Sequence, residues 1–284
     1  MTPLVTVTSP LLVAARRVCR HRSVILGGHG VADVPAAYDP ENLCVAPDRF
    51  RAQVELMLAA GFEFVTVAKL TERMNGGAPP PGLAALSFDD GMDNNLSVLL
   101  PLLREYGIPA TVYVTTGLIG RPNPWLDPRA RARMMTADEL RELTASGVEI
   151  GGHSVTHPDL SLLDAEACRR EVRDSRDTLV DVTGGPVTTF AYPYCGFGPT
   201  AQSAVREAGF SAAVTGEGRG SWERFAIDRA MVTGVDGLPA FLAKLSGLYE
   251  PVYRSSAGAA ARAATRRPRR LARSLRERRR RASA

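Results

Sequence analysis

Short runs of β-branched and apolar residues alternate with longer amphipathic stretches along most of this chain, and that alternation limits the folds open to it. Strands are predicted at 24–26, 62–67, 84–88, 110–115, 148–151, 188–192, 211–215 and 226–232. Between them, the leucines at 96, 99, 100 and 103 recur at helical spacing and predict a helix over 95–106. Another helix begins at Thr136, with Glu139 placed for a capping box and Gly147 beyond its end. Further helices are predicted at 164–182, 47–60, 199–208 and 239–248, the last three each with Pro near the start. Such alternation requires a parallel sheet covered by helices, either doubly wound and open or rolled into a (β/α) barrel.

Two polar clusters favour the barrel. The first, Ser87-Phe88-Asp89-Asp90-Gly91, puts two adjacent carboxylates after an apolar strand. Side by side in a buried place they repel, unless a cation or a proton resolves the repulsion. With a metal ion present, one Asp ligates and the other stays free to move a proton. A turn or helix cap accounts for Asp90 alone and, less readily, for the doublet. The second cluster, Gly151-Gly152-His153-Ser154-Val155-Thr156-His157, again follows an apolar strand. Its imidazoles, four residues apart, are expected on one face of a helical turn, with the two glycines letting the backbone turn sharply into the site. Only four His occur in the chain, and two of them are here. One Asp and two His leave coordination positions open, which marks a catalytic rather than a structural metal. Both clusters lie at carboxyl ends of predicted strands, the face on which barrel active sites are built. A third strand end, Tyr192-Pro193-Tyr194-Cys195-Gly196, has the residues to present a main-chain N–H to a developing oxyanion, although core plus turn explains it as well.

At these three stretches the sequence resembles the polysaccharide deacetylase family, the NodB-homology domain of carbohydrate esterase family four. Ser87–Gly91 stands for its S/T-F-D-D-G motif, His153-Ser154-x-x-His157 for its H-S/T-x-x-H motif, and Tyr192–Tyr194 for the Tyr-Pro-Tyr of its third. The resemblance implies a distorted (β/α) barrel of about seven strands and a divalent ion, usually zinc. It implies Asp89 as base, Asp90, His153 and His157 as ligands, and the Tyr194 N–H in an oxyanion hole. The implied reaction is hydrolysis of N-acetyl groups on an amino-sugar-containing glycan or glycoconjugate. There are two departures. Ala191 stands where the family often carries an Arg paired with the catalytic Asp, and Arg229 is the candidate replacement. No His follows His157, so the family's late general acid is missing; His29, at the end of the first strand, is the candidate in its place. Tyr192, Pro193, Trp125 and Arg229 are expected at the substrate, with Asp127 and Trp222 as further candidates. Two other readings stay open: an amidohydrolase of this fold acting on a small non-sugar amide, and a catalytically inactive carbohydrate-binding barrel.

Charge divides the chain. Twelve Arg against Glu277 give residues 254–284 a charge of +11, which leaves −6 on the rest of a chain whose total is +5. The chain therefore reads as an N-terminal basic extension (1–22), a catalytic domain (23–253) and an Arg-rich tail (254–284), disordered or helical. An anionic membrane surface suits the tail, whereas nucleic acid does not: the tail has no aromatic residues for stacking and the body is acidic. Four scattered cysteines without a C-x-x-C pair, and an apolar stretch at 10–15 too short for a secretory signal, lead us to expect a cytoplasmic protein, peripheral at the inner membrane face.

Overall fold

The structure, a computed structural model, describes residues 10–216 and 221–247; the Arg-rich segment 254–284 lies outside them. Helix α1 (Pro10–His21) leads into β1 (Val24–Gly28), β2 (Gly30–Val31), β3 (Cys44–Val45) and α2 (Pro47–Ala60). Then come β4 (Glu63–Phe64), α3 (Val67–Glu72), β5 (Leu83–Phe88), a π-type turn (Asn95–Leu99) running into α4 (Leu100–Tyr106), and β6 (Thr111–Val114). Three strand–helix units follow: α5 (Ala137–Ala145) with β7 (Glu149–Gly152), α6 (Ala165–Thr183) with β8 (Thr189–Ala191), and α7 (Pro199–Glu207) with β9 (Ala212–Thr215). The described chain ends with β10 (Trp222–Glu223), β11 (Ala226–Asp228), β12 (Ala230–Met231) and α8 (Leu238–Leu245).

The order β11-β9-β8-β7-β6-β5-β1-β12 is parallel throughout, with β4 added beside β5 and β10 pairing antiparallel to β11. β11 pairs with β9 and β12 with β1, yet only Arg229 separates β11 from β12. One short stretch of chain thus joins the two ends of the sheet, giving a distorted barrel that backbone hydrogen bonds do not close, of seven strands when β11 and β12 are counted as one. Sequence read 226–232 as a single strand; the structure divides it at Arg229, where it changes partner.

Both faces of the strands are buried, which is why they read as near-continuous apolar runs. Alternate residues separate into two clusters. Ile25, Ala85, Tyr113, Ala191, Val214 and Ile227 fill the barrel interior. Leu26, Leu86, Phe88, Val112, Val114 and Phe190 face the helices. Helix α3 closes the lower end: its Val67 N–H donates to Thr111 Oγ1, and Ala68 N–H donates to Glu149 Oε2. The capping box on α5 forms as expected, Thr136 accepting from Glu139 N–H and Glu139 accepting from Thr136 N–H, worth about 1 kcal/mol.

One boundary changes. Residues 1–22 were expected to lie outside the domain, but Leu12, Ala15 and Cys19 of α1 sit in the main core, against α2 and α8. Their spacing places them on one helical face, which four basic residues at 16, 17, 20 and 21 had obscured. All four cysteines are free. No helix among the described residues is long and apolar enough to cross a membrane.

Candidate active site

The inward parity of the strands carries on past their carboxyl ends and supplies the site. On β5 the inward residues Ala85 and Ser87 are followed by Asp89, whose N–H donates to Gly28 O at 2.8 Å and so extends the pairing with β1. Asp90 cannot reach the same mouth in an extended conformation. It adopts φ +76°, and Gly91 after it φ +83°. For a residue with a Cβ this costs on the order of 1 kcal/mol. The turn brings Asp90 beside its neighbour with both carboxylates buried.

His153 follows β7, and its Nδ1 donates to Ala191 O at 2.7 Å. That bond fixes the tautomer and leaves Nε2 with a lone pair. His153 Nε2 lies 3.6 Å from Asp90 Oδ1, His157 Nε2 lies 3.3 Å from it, and the two Nε2 atoms are 3.2 Å apart. Asp90 Oδ1 is buried without a hydrogen-bond partner. Two imidazole nitrogens and an orphaned carboxylate oxygen converging in this way form a donor set that a divalent cation satisfies, and the three residues fit such an ion. Burial pushes the His153 imidazole down to about 4 despite the pull of Asp89, so it is neutral at pH 7 and able to ligate.

The expected helical turn between the histidines is absent. Residues 153–157 form a bend in which Ser154 and His157 both have positive φ, +62° and +59°. Ser154 Oγ accepts from His157 N–H at 3.0 Å, and Thr116 N–H donates to Ser154 O at 3.1 Å. Nor do Gly151 and Gly152 serve to turn the backbone, since both lie within β7. They make room instead: a Cβ on Gly151 would come 2.5 Å from the Tyr113 ring, and one on Gly152 would come 2.8 Å from Phe210.

Asp89 is held from behind by Arg229. Nη1 and Nη2 meet the two carboxylate oxygens at 2.7 and 2.8 Å, Nη1 also donates to Ser87 Oγ, and Nε donates to Thr215 O. Burial by itself would raise the Asp89 carboxyl; the Arg229 guanidinium outweighs it and keeps the carboxyl well below the usual range. Gly27 lies against this pair: a Cβ there would come 2.4 Å from Met231 Sδ and 3.3 Å from Arg229 Nε. Arg229 was expected at the substrate. It is fully enclosed behind Asp89, where it pairs with the carboxylate from another strand than the one carrying Ala191.

The remaining expected residues divide. His29 stands just after β1, close enough for its charge to act on both Asp89 and Asp90. Trp125 and Tyr194 flank His157 edge-on, with ring centroids at 4.9 and 4.5 Å, and Tyr194 is 48% exposed with φ +55°. Tyr192 does not face the mouth: its ring is turned into the core and its hydroxyl donates to Phe225 O at 2.9 Å. Pro193 is buried at the start of the following 3-10 turn. Trp222, on β10, packs against the barrel-interior cluster, and Asp127 is engaged by Arg129 on the surface. Sequence gave no sign of Glu171 on α6, which accepts from three donors of the 153–157 bend.

The sequence profile of the family described as polysaccharide deacetylase matches residues 76–213. The chain is 35% identical over 114 residues to a gellan lyase of a Bacillus species, a match covering 40% of this chain and 4% of that protein. It is 31% identical over 96 residues to the chitooligosaccharide deacetylase of Rhizobium leguminosarum bv. trifolii, covering 34% of this chain and 38% of that one. The chain thus spans well under two thirds of the length of these relatives. Among solved structures, the Streptococcus pyogenes deacetylase PplD in complex with acetate matches 79% of this chain and 98% of its own, with a TM-score of 0.68 and 24% identity, a likeness of fold.

Proposed function

We propose that this chain, whose residues 76–213 match the polysaccharide deacetylase family, hydrolyses N-acetyl groups on an amino-sugar-containing glycan or glycoconjugate. The observation that carries this reading is the convergence of Asp90, His153 and His157 on one point, with the ionised pair Asp89–Arg229 beside it. A divalent ion held by those three residues, zinc being the one their nitrogen and oxygen donors suit, would supply Lewis acidity toward an amide carbonyl and acidify water.

The side chains then have separate tasks. Asp89 is ionised at any working pH and accepts the proton of the attacking water. A carboxylate with so low an affinity for protons is a weak base, and it suffices only where the water is already acidified. The Tyr194 main-chain N–H donates to the carbonyl oxygen as that oxygen gains charge. His29 delivers a proton to the leaving amine, so that acetate and a free amino sugar result. The half-buried ring of Trp125 and the exposed ring of Tyr194, both against His157, border the position where the acetamide would enter. Together these features favour a working hydrolase over an inactive binding barrel, which has no need of an enclosed Asp–Arg pair beside a complete ligand set. The test is a screen of N-acetylglucosamine oligomers beside simple formamides and ureides. Release from the sugars alone supports the deacetylase, and release from the simple amides alone replaces it with a small-amide hydrolase.

For residues 254–284 the reading is attachment to an anionic membrane surface at the cytoplasmic face, each Arg near it contributing roughly 1 kcal/mol. Cosedimentation with anionic and neutral vesicles, for the full chain and one ending at residue 253, decides this.

A further inference from the structure

The bend that carries the two histidines is an unfavourable piece of backbone. Ser154 and His157 both hold positive φ without being glycine, and the residues between them project their amides away from the barrel. Something must hold this shape, because His157 Nε2 faces Asp90 only while the bend keeps it there. On the barrel side the bend is tied by Thr116 N–H to Ser154 O and by Gly117 N–H to Val155 O, at 3.1 and 2.8 Å. A Cβ on Gly117 would come within 2.6 Å of that Val155 oxygen, so the approach is as close as backbone allows.

On the outer side the amides converge on one group. Glu171, half-buried on α6, accepts from Val155 N–H and from Thr156 N–H through Oε2, both at 2.9 Å, and from Thr156 Oγ1 through Oε1 at 2.7 Å. Two consecutive amides donating to one anion form a concave anion-binding arrangement, which a carboxylate fills well because charge-assisted bonds are the strong ones. The next amide along, that of His157, goes to Ser154 Oγ within the bend. Glu171 is thus the charged group that braces the bend against the helix layer, from outside the convergence point and without touching it.

Resting on the reading of Asp90, His153 and His157 as metal ligands, we propose that Glu171 is a positioning residue for the metal centre: it fixes the 153–157 bend so that His157 is held in ligating position before any ion arrives. The chain then binds zinc without first having to order His157, and loss of the brace weakens the metal rather than the fold.

The experiment is a zinc titration of the full chain in competition with a chromophoric chelator, together with thermal unfolding of the metal-free proteins and the visible absorption of their cobalt(II) forms. Outer groups that orient a ligand typically contribute 10- to 100-fold in metal affinity. Glu171→Gln keeps an acceptor for the amides and should weaken zinc about 10-fold, while Glu171→Ala should weaken it about 100-fold. Thr156→Val removes only the hydroxyl arm and should fall between Glu171→Gln and the native chain; it also serves if Glu171→Ala does not fold. The cobalt spectrum should change shape with each loss of affinity, which a merely structural role would not produce. Glu166→Gln, on the exposed face of the same helix, should bind zinc as the native chain does. Glu171→Gln and Thr156→Val variants that bind zinc within about twofold of the native chain, whatever their thermal stability, overturn the proposal. A native chain that does not bind zinc at all overturns the metal centre as well, which separates the two failures.

Discussion

Arg229 and Asp89 are 140 residues apart in sequence and meet as a two-pronged ion pair inside the barrel, their side chains 0% and 6% exposed. The pair joins the stretch that links the two ends of the sheet to the acid that follows β5, so the return of the chain and the placement of the base depend on one contact.

Removing one partner should therefore cost far more than removing both. Arg229→Met leaves a buried carboxylate without its cation and is expected to lower stability by about 3–5 kcal/mol. Adding Asp89→Asn should restore a large part of it. Urea unfolding of the two variants and the native chain checks this. A loss of about 1 kcal/mol or less for Arg229→Met, as for an exposed pair, would show that the pair contributes little.

Metal-free stability should depend on pH through His153. Burial lowers its folded value to about 4 from an unfolded value of 6.5. The unfolded chain therefore takes up the proton first as pH falls. The contribution is fully present above about 6.5, declines between 6.5 and 4, and is gone below 4; at its full size it is about 3 kcal/mol. Urea midpoints from pH 7 to pH 4 in the presence of a chelator should fall more steeply for the native chain than for His153→Gln. Parallel declines would contradict a neutral, buried His153.

Gly151 should tolerate no side chain. A Cβ there meets the Tyr113 ring at 2.5 Å and Thr189 O, which is backbone, at 2.8 Å. Gly151→Ala is expected to lose about 1–3 kcal/mol, with Tyr113 displaced toward Arg229. Combining it with Tyr113→Leu should recover part of the loss, and an unchanged Tm in the single variant would argue against the close packing.

His29→Ala should lower kcat by about 100-fold or more while zinc affinity and KM stay near the native values, as befits a proton donor outside the ligand set. Unchanged turnover would remove His29 from the reaction.

How far the sequence was legible follows from which interactions are local. The helix predicted at 47–60 forms with those bounds, because Pro47 starts it and Gly61, at φ +97°, ends it. Asp89, Asp90, His153 and His157 were nameable because chemistry restricts the residue types and strand ends restrict their place. Spacing alone could not give the shape of the 153–157 bend: positive φ at Ser154 and His157 is imposed by Glu171, Thr116 and Gly117, which lie far off in sequence. Tyr192 and Arg229 were named from strand ends, but whether such residues face the mouth or the core depends on parity and on neighbours such as Phe225 and Gly27.

The most direct measurement is acetate release from an N-acetylglucosamine oligomer by the native chain and Asp89→Asn, each stripped of metal and then supplied with zinc. Release that requires zinc and falls by at least about 1,000-fold in Asp89→Asn, with zinc still bound, is the expected result. Release that persists in the chelated protein or in Asp89→Asn, or no release from a zinc-loaded native chain, would contradict a metal-assisted deacetylase with Asp89 as its base.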